Sequence, residues 1–166
     1  MNAPFKALLQ SDSDAFHLRR SRCLDAFAEI EEAIVGVLNL LDFKLANDSL
    51  GQKLETLKSA KASPTFSRER LARLQALLPI CEALNTQRND IVHSRMQIAL
   101  IGHETKACFA NIRQSTPGSQ IARLLSLDGF DELHRTIRQT AALLRQIQVN
   151  PASSPPPPSP GAAGAP

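Results

Sequence analysis

Two side chains near the middle of this chain have the right chemistry to act on a charged centre. Arg88 and His93 lie in the stretch Leu84-Asn85-Thr86-Gln87-Arg88-Asn89-Asp90-Ile91-Val92-His93-Ser94-Arg95. An imidazole titrates near neutrality, at about 6.5 when unperturbed, so it can both take and give a proton at working pH. A guanidinium keeps its charge and offers a planar fork of donors suited to phosphoryl oxygens. Asn89, four residues before His93, is placed to orient the imidazole or to hold a phosphate. Thr86, Asp90 and Ser94 are too common in such stretches to be given a role.

The stretch closes a run in which Leu74, Leu77, Cys81, Leu84, Arg88 and Ile91 recur in steps of three and four. That is the seam of a helix packed on other helices, and position 88 on it should be apolar. An arginine there needs a partner, because taking an unpaired guanidinium out of water is expensive. Asn85, Asn89 and His93 form a polar ridge beside the seam. Arg88 and His93 stand about 140° apart on a regular helix at about 100° per residue. They can meet only through the long arginine stem, a local break, or a second copy of the chain. The structural alternative is that Arg88 is a strut paired with Asp90, Glu82 or an acid on another helix, with His93 a helix-terminal donor.

Arg-Asn-Asp-Ile-Val-His resembles the Arg-x4-His signature, with a polar residue after the arginine, of HEPN (higher eukaryote and prokaryote nucleotide-binding) domains. The match covers six residues and a general helical layout. It implies a small helical bundle, many relatives of which are metal-independent endoribonucleases of toxin–antitoxin or defence systems. It also implies catalytic roles for Arg88 and His93, Asn89 as the accessory polar residue, and a homodimer cleft in which two motifs meet. In such a reaction the substrate's own 2′-hydroxyl attacks the adjacent phosphate, with histidine moving protons and arginine stabilising the charge. An RNA substrate and an antitoxin protein are the implied partners. The alternative is a catalytically inactive HEPN-like module that binds nucleotide or RNA, or a helical protein-interaction module.

The rest of the chain must position this motif. Its 166 residues suffice for a single core. Residues 12–150 read as the helical domain and 151–166 as a disordered tail, which holds seven of the eleven prolines and no charge. A PxxP-type ligand is the other reading of that tail. The net charge of +3 permits RNA binding without demanding it. With no Trp or Tyr, there is no aromatic platform for stacking bases. Cys23, Cys81 and Cys108 lack CxxC spacing and read as core thiols of a reducing, cytoplasmic setting. The four histidines have no metal-ligand companions, so neither a metal nor another cofactor is expected. No apolar run reaches the roughly 18 residues a membrane span needs, and the N-terminus lacks a secretion-type apolar region.

In chain order, residues 1–11 read as a loose lead-in, with Asp12 or Asp14 capping a long helix over 14–45. Its seam is Phe16, Cys23, Phe27, Ile30, Ile34, Val37 and Leu41, with Arg19, Arg20, Arg22, Glu29, Glu31 and Glu32 mostly outside. A short helix follows over 48–60. A third, capped by Thr65 or Ser67, runs into the motif and carries Pro79, which should kink it. The kink either aims the motif at a partner surface or is simply tolerated.

After Arg95 the period falls to two. A β-hairpin turning over Gly102–Lys106 is predicted, with continued helix as the rival over 95–113. Thr116–Ser119 reads as a loop, and 121–125 is left open. Ser126 or Asp128 caps a last helix with the seam Phe130, Leu133, Ile137, Ala141, Leu144 and Ile147. The predicted class is mainly α: a HEPN-like bundle, a small hairpin before the last helix, and the tail. His17, His103 and His134 read as surface or turn residues.

Overall fold

The computed structural model describes residues 3–43, 48–110 and 123–149, of which 3–11 are described as backbone only. Four helices and a three-stranded sheet account for most of them: α1 (Ala3–Leu40), α2 (Leu50–Lys58), α3 (Arg68–His93), β1 (Arg95–Ile101), β2 (Glu104–Ala110), β3 (Arg123–Leu125) and α4 (Leu127–Gln148). The fold is mainly helical, with an antiparallel hairpin ahead of the last helix, as the change of period predicts. The loop at 116–119 and the proline-rich tail fall outside the described residues.

Three boundaries differ from the sequence expectation. The first helix has no lead-in: it begins at Ala3, so Asp12 and Asp14 lie within it rather than at its N-cap. Residues 3–10 are rich in good helix formers, and Pro4 falls in the first turn, where its missing N–H has no partner to lose. Asp12 instead accepts a hydrogen bond from the Thr105 hydroxyl at 3.1 Å, tying α1 to β2. The helix stops at Leu40 rather than 45, where Asp42 turns into the left-handed region at φ 59°. In α2, Ser49 and Gln52 form a reciprocal capping box that sets the start at Leu50.

Of the two candidates at each start, Ser67 rather than Thr65 caps α3 and Ser126 rather than Asp128 caps α4, accepting from the Arg70 and Gly129 N–H groups. The helix α3 continues through Pro79 to His93.

The hairpin turn is tighter than expected. Only Gly102 and His103 lie between the strands, and Glu104–Lys106 already pair with β1. A glycine at φ 65° in the first turn position suits a two-residue hairpin. Residues 123–125, left open by the sequence, pair antiparallel with β2 and complete the order β1-β2-β3.

Packing follows the apolar seams. The contacts of α1 are most extensive with α4. Arg19 meets Asp131 (3.0 Å), Glu29 meets Arg138, Glu32 meets Arg145 (3.4 Å), and Gln148 donates to the Ala33 carbonyl (2.9 Å). Residue numbers rise together along both helices, so α1 and α4 run parallel. By contrast Arg20 of α1 meets the end of α3 while Glu31 meets Arg88, so α1 and α3 are antiparallel. Phe16, Phe109 and Phe130 are fully buried where α1, β2 and α4 converge. Phe130 stands edge-on to both other rings, with centroids 6.2 and 6.0 Å away. No helix among the described residues is long and apolar enough to cross a membrane.

Candidate functional site

The motif occupies the last two turns of α3, which join β1 without a loop. Ser94 is already extended (φ −108°, ψ 146°), so the helix passes directly into the strand. Because α3 is unbroken from Arg68 to His93, the 140° between Arg88 and His93 stands. Among the described residues, no hydrogen bond or ion pair joins them within the chain.

Arg88 keeps its place on the seam but is not fully buried. Its side chain is 28% exposed and points toward α1, where Nη2 lies 3.8 Å from Glu31 Oε2. The other oxygen of Glu31 is held by Lys53 of α2 at 2.7 Å. The acid on another helix that the seam demanded is therefore Glu31, and it is shared. The other two candidates are engaged elsewhere: Asp90 pairs with Arg123 of β3 at 3.1 Å, and Glu82 with Lys58. At 3.8 Å the Arg88–Glu31 contact is an ion pair and not a hydrogen bond, which leaves donors of the guanidinium fork uncommitted.

The polar ridge divides. Asn85 faces α2, close enough that a Cβ added at Gly51 would stand 3.6 Å from its Nδ2. Asn89 is half-buried and His93 exposed. Neither side chain makes a hydrogen bond among the described residues. The motif thus presents a loosely paired guanidinium on one side of the helix and a free imidazole on another, with an unengaged amide between. The geometry can bind an anion at Arg88 and exchange a proton at His93. Within one chain it does not bring the two functions onto one atom.

A half-exposed ion pair stretched to 3.8 Å is worth little, about 0–1 kcal/mol after solvent screening. Arg88→Ala is therefore expected to destabilise the domain by less than about 1 kcal/mol. A buried strut would lose about 3–5 kcal/mol on the same change. Urea unfolding of the two proteins decides between them.

Two residues that sequence reasoning placed on the outer surface belong to this region. Glu31 is the Arg88 partner. Arg20 is half-buried: its Nη2 donates to the Ile91 carbonyl at 2.7 Å and to the Ser94 carbonyl at 3.4 Å. Its guanidinium carbon lies 5.9 Å from the Phe109 ring centroid. The signal for Arg20 was present: Phe16, Arg20, Cys23, Phe27 and Ile30 step by four and three, so Arg20 stands on the α1 seam as Arg88 does on that of α3.

The thiols are withdrawn from solvent. Cys23, Cys81 and Cys108 are all buried. Burial, reinforced by the Asp131 charge, pushes the Cys23 thiol up to about 11, and burial with the Glu82 charge does the same for Cys81. Below the ordinary value of 9.0 both folded and unfolded thiols are protonated. Above it the unfolded chain ionises first, so stability is lost as the pH rises from about 9 to about 11. The expected loss is at most about 3 kcal/mol per thiol. Thermal unfolding across that range should flatten in a Cys23→Ala, Cys81→Ala variant.

No group of three His, Cys, Asp or Glu among the described residues is arranged to hold a metal ion. An apolar concavity between α3 and α4, lined by Arg73, Ala76, Leu77, Leu143, Gln146 and Ile147, lies in the first half of α3 and away from the motif.

No protein-family model matches the chain, and no curated protein or solved structure matches it either.

Proposed function

We propose that this chain is a HEPN-like, metal-independent endoribonuclease that acts as a homodimer. In this reading Arg88 of one copy and His93 of the partner subunit share a cleft, with Asn89 beside them. The observation that carries it is the state of the motif: Arg88 is partly exposed with donors to spare, and His93 is exposed without a partner. An arginine committed to a core network would have neither property.

The 2′-oxygen of the RNA attacks its own phosphorus, and the imidazole of His93 removes the hydroxyl proton. Arg88 donates to the non-bridging oxygens as charge builds on them. The bond from phosphorus to the 5′-oxygen breaks, that oxygen takes up a proton from water, and His93 returns its own proton to the solvent, so the protons balance. The products are a 2′,3′-cyclic phosphate and a free 5′-hydroxyl. A toxin held in check by an antitoxin in the cytoplasm is the biological setting that fits such an activity.

The second reading is a catalytically inactive HEPN-like module that binds RNA, nucleotide or protein. The inward direction of Arg88, toward Glu31 and Lys53, favours it, because the three charges also link α1, α2 and α3. Sedimentation velocity at micromolar concentration, paired with cleavage of total RNA in EDTA, separates the two. A dimer that cuts RNA supports the first. A strict monomer removes the composite cleft, and a dimer without cleavage leaves the binding module.

A further inference from the structure

We propose that Arg20 is the positioning residue for His93, acting through the carbonyls of the last turn of α3. Its catalytic consequence rests on the ribonuclease reading; the positioning itself rests on geometry.

The last carbonyls of an α-helix have no donors within the helix. Many helices solve this with a left-handed glycine that folds the chain back. Here Ser94 is extended and leads straight into β1, so that solution is absent. Arg20 supplies the donors from α1. It holds Ile91 O at 2.7 Å and Ser94 O at 3.4 Å, two acceptors that flank His93 along the chain. A cation at a helix C-terminus is also favoured by the helix dipole. Phe109 beneath the guanidinium restricts its plane. On the other side of the turn, Arg123 of β3 holds Asp90 at 3.1 Å.

The arginine stands at this position at a cost. Its Nε is buried without a hydrogen-bond partner, as is the Ser94 hydroxyl, and a desolvated donor left unpaired costs free energy. An apolar residue would fill the α1 seam without that cost, but would leave the Ile91 and Ser94 carbonyls without the donor that Arg20 supplies. What the arginine adds is a fixed position for the turn that carries His93.

The same device recurs at the end of α4. Arg70 donates to Ile147 O (2.7 Å) and Gln148 O (2.8 Å) over the ring of Phe66. That helix end carries no motif, so Arg70→Gln serves as the control.

The test compares Arg20→Gln, Arg20→Lys and Arg70→Gln by amide hydrogen exchange and by steady-state cleavage of an oligoribonucleotide in EDTA. Arg20→Gln should speed exchange at 92–96 at least about tenfold beyond any global change. It should lower kcat about ten- to a hundredfold with KM within about twofold, since binding is kept and alignment lost. Arg20→Lys, which keeps a cationic donor, should recover part of both, and it carries the test if Arg20→Gln does not fold. Arg70→Gln should loosen 146–149 and leave kcat unchanged.

Unchanged or merely uniform exchange overturns the proposal, as does normal kcat with a loosened turn. If the unsubstituted protein cleaves nothing, the ribonuclease reading fails. Arg20 is then judged on exchange at 92–96 and on line broadening of the His93 ring signals in nuclear magnetic resonance spectra.

Discussion

On the ribonuclease reading proposed above, His93→Ala and Arg88→Ala are each expected to reduce RNA cleavage in EDTA by at least about a hundredfold while the protein stays folded and keeps the assembly of the unsubstituted chain. Positioned proton transfer contributes about 10²–10⁴-fold to such reactions. Removing one preorganised donor from a developing oxyanion typically loses about 10²–10³-fold. Neither change should unfold the chain, because His93 is exposed and, among the described residues, Arg88 is held through a single 3.8 Å ion pair. If both residues serve one transition state, the double variant should lose little more than either single one. Mixing the two single variants gives a sharper check. If the site is composite, heterodimers combine one intact Arg88 with one intact His93 and recover part of the activity. Cleavage that survives both substitutions, or that appears only with added magnesium, would assign the activity to another site or another protein.

Phe130→Ala should destabilise the domain by about 3–5 kcal/mol. The ring is fully buried, and its edge-on contacts with Phe16 and Phe109 join α4 to α1 and to β2. Against a typical domain stability of about 5–15 kcal/mol, such a loss is a large share of the total. Urea unfolding reads it directly, and Leu18→Ala, at a half-exposed position on α1, is the matched control. A loss below about 1 kcal/mol would mean that the three rings do not form the joint described. The consequence reaches the motif, because Phe109 also underlies the Arg20 guanidinium. In Phe130→Ala the end of α3 should therefore loosen along with the core.

The sequence carried most of the local structure. The three-four rhythm marked α1, α3 and α4, the fall to a period of two marked the hairpin, and Ser67 and Ser126 marked two helix starts. Each of these signals is settled by neighbours a few residues away. The start of α1 was misread because Asp12 looks like a cap in isolation, whereas its carboxylate is engaged by Thr105, 93 positions later. The strand at 123–125 is too short to show a period of its own. It exists because β2 offers it an edge.

The candidate site divides along the same line. That Arg88 interrupts an apolar seam, and that His93 stands 140° around the helix from it, follow from the order of residues alone, since helix geometry fixes both. That Glu31 is the acid facing Arg88, that Lys53 shares it, and that Arg20 closes the end of α3 across 71 positions were decided only when α1 packed antiparallel to α3. A surface acid on a helix carries no local mark of the cation it will meet. The choice is made by which faces the cores bury together, and burial is a property of the whole chain.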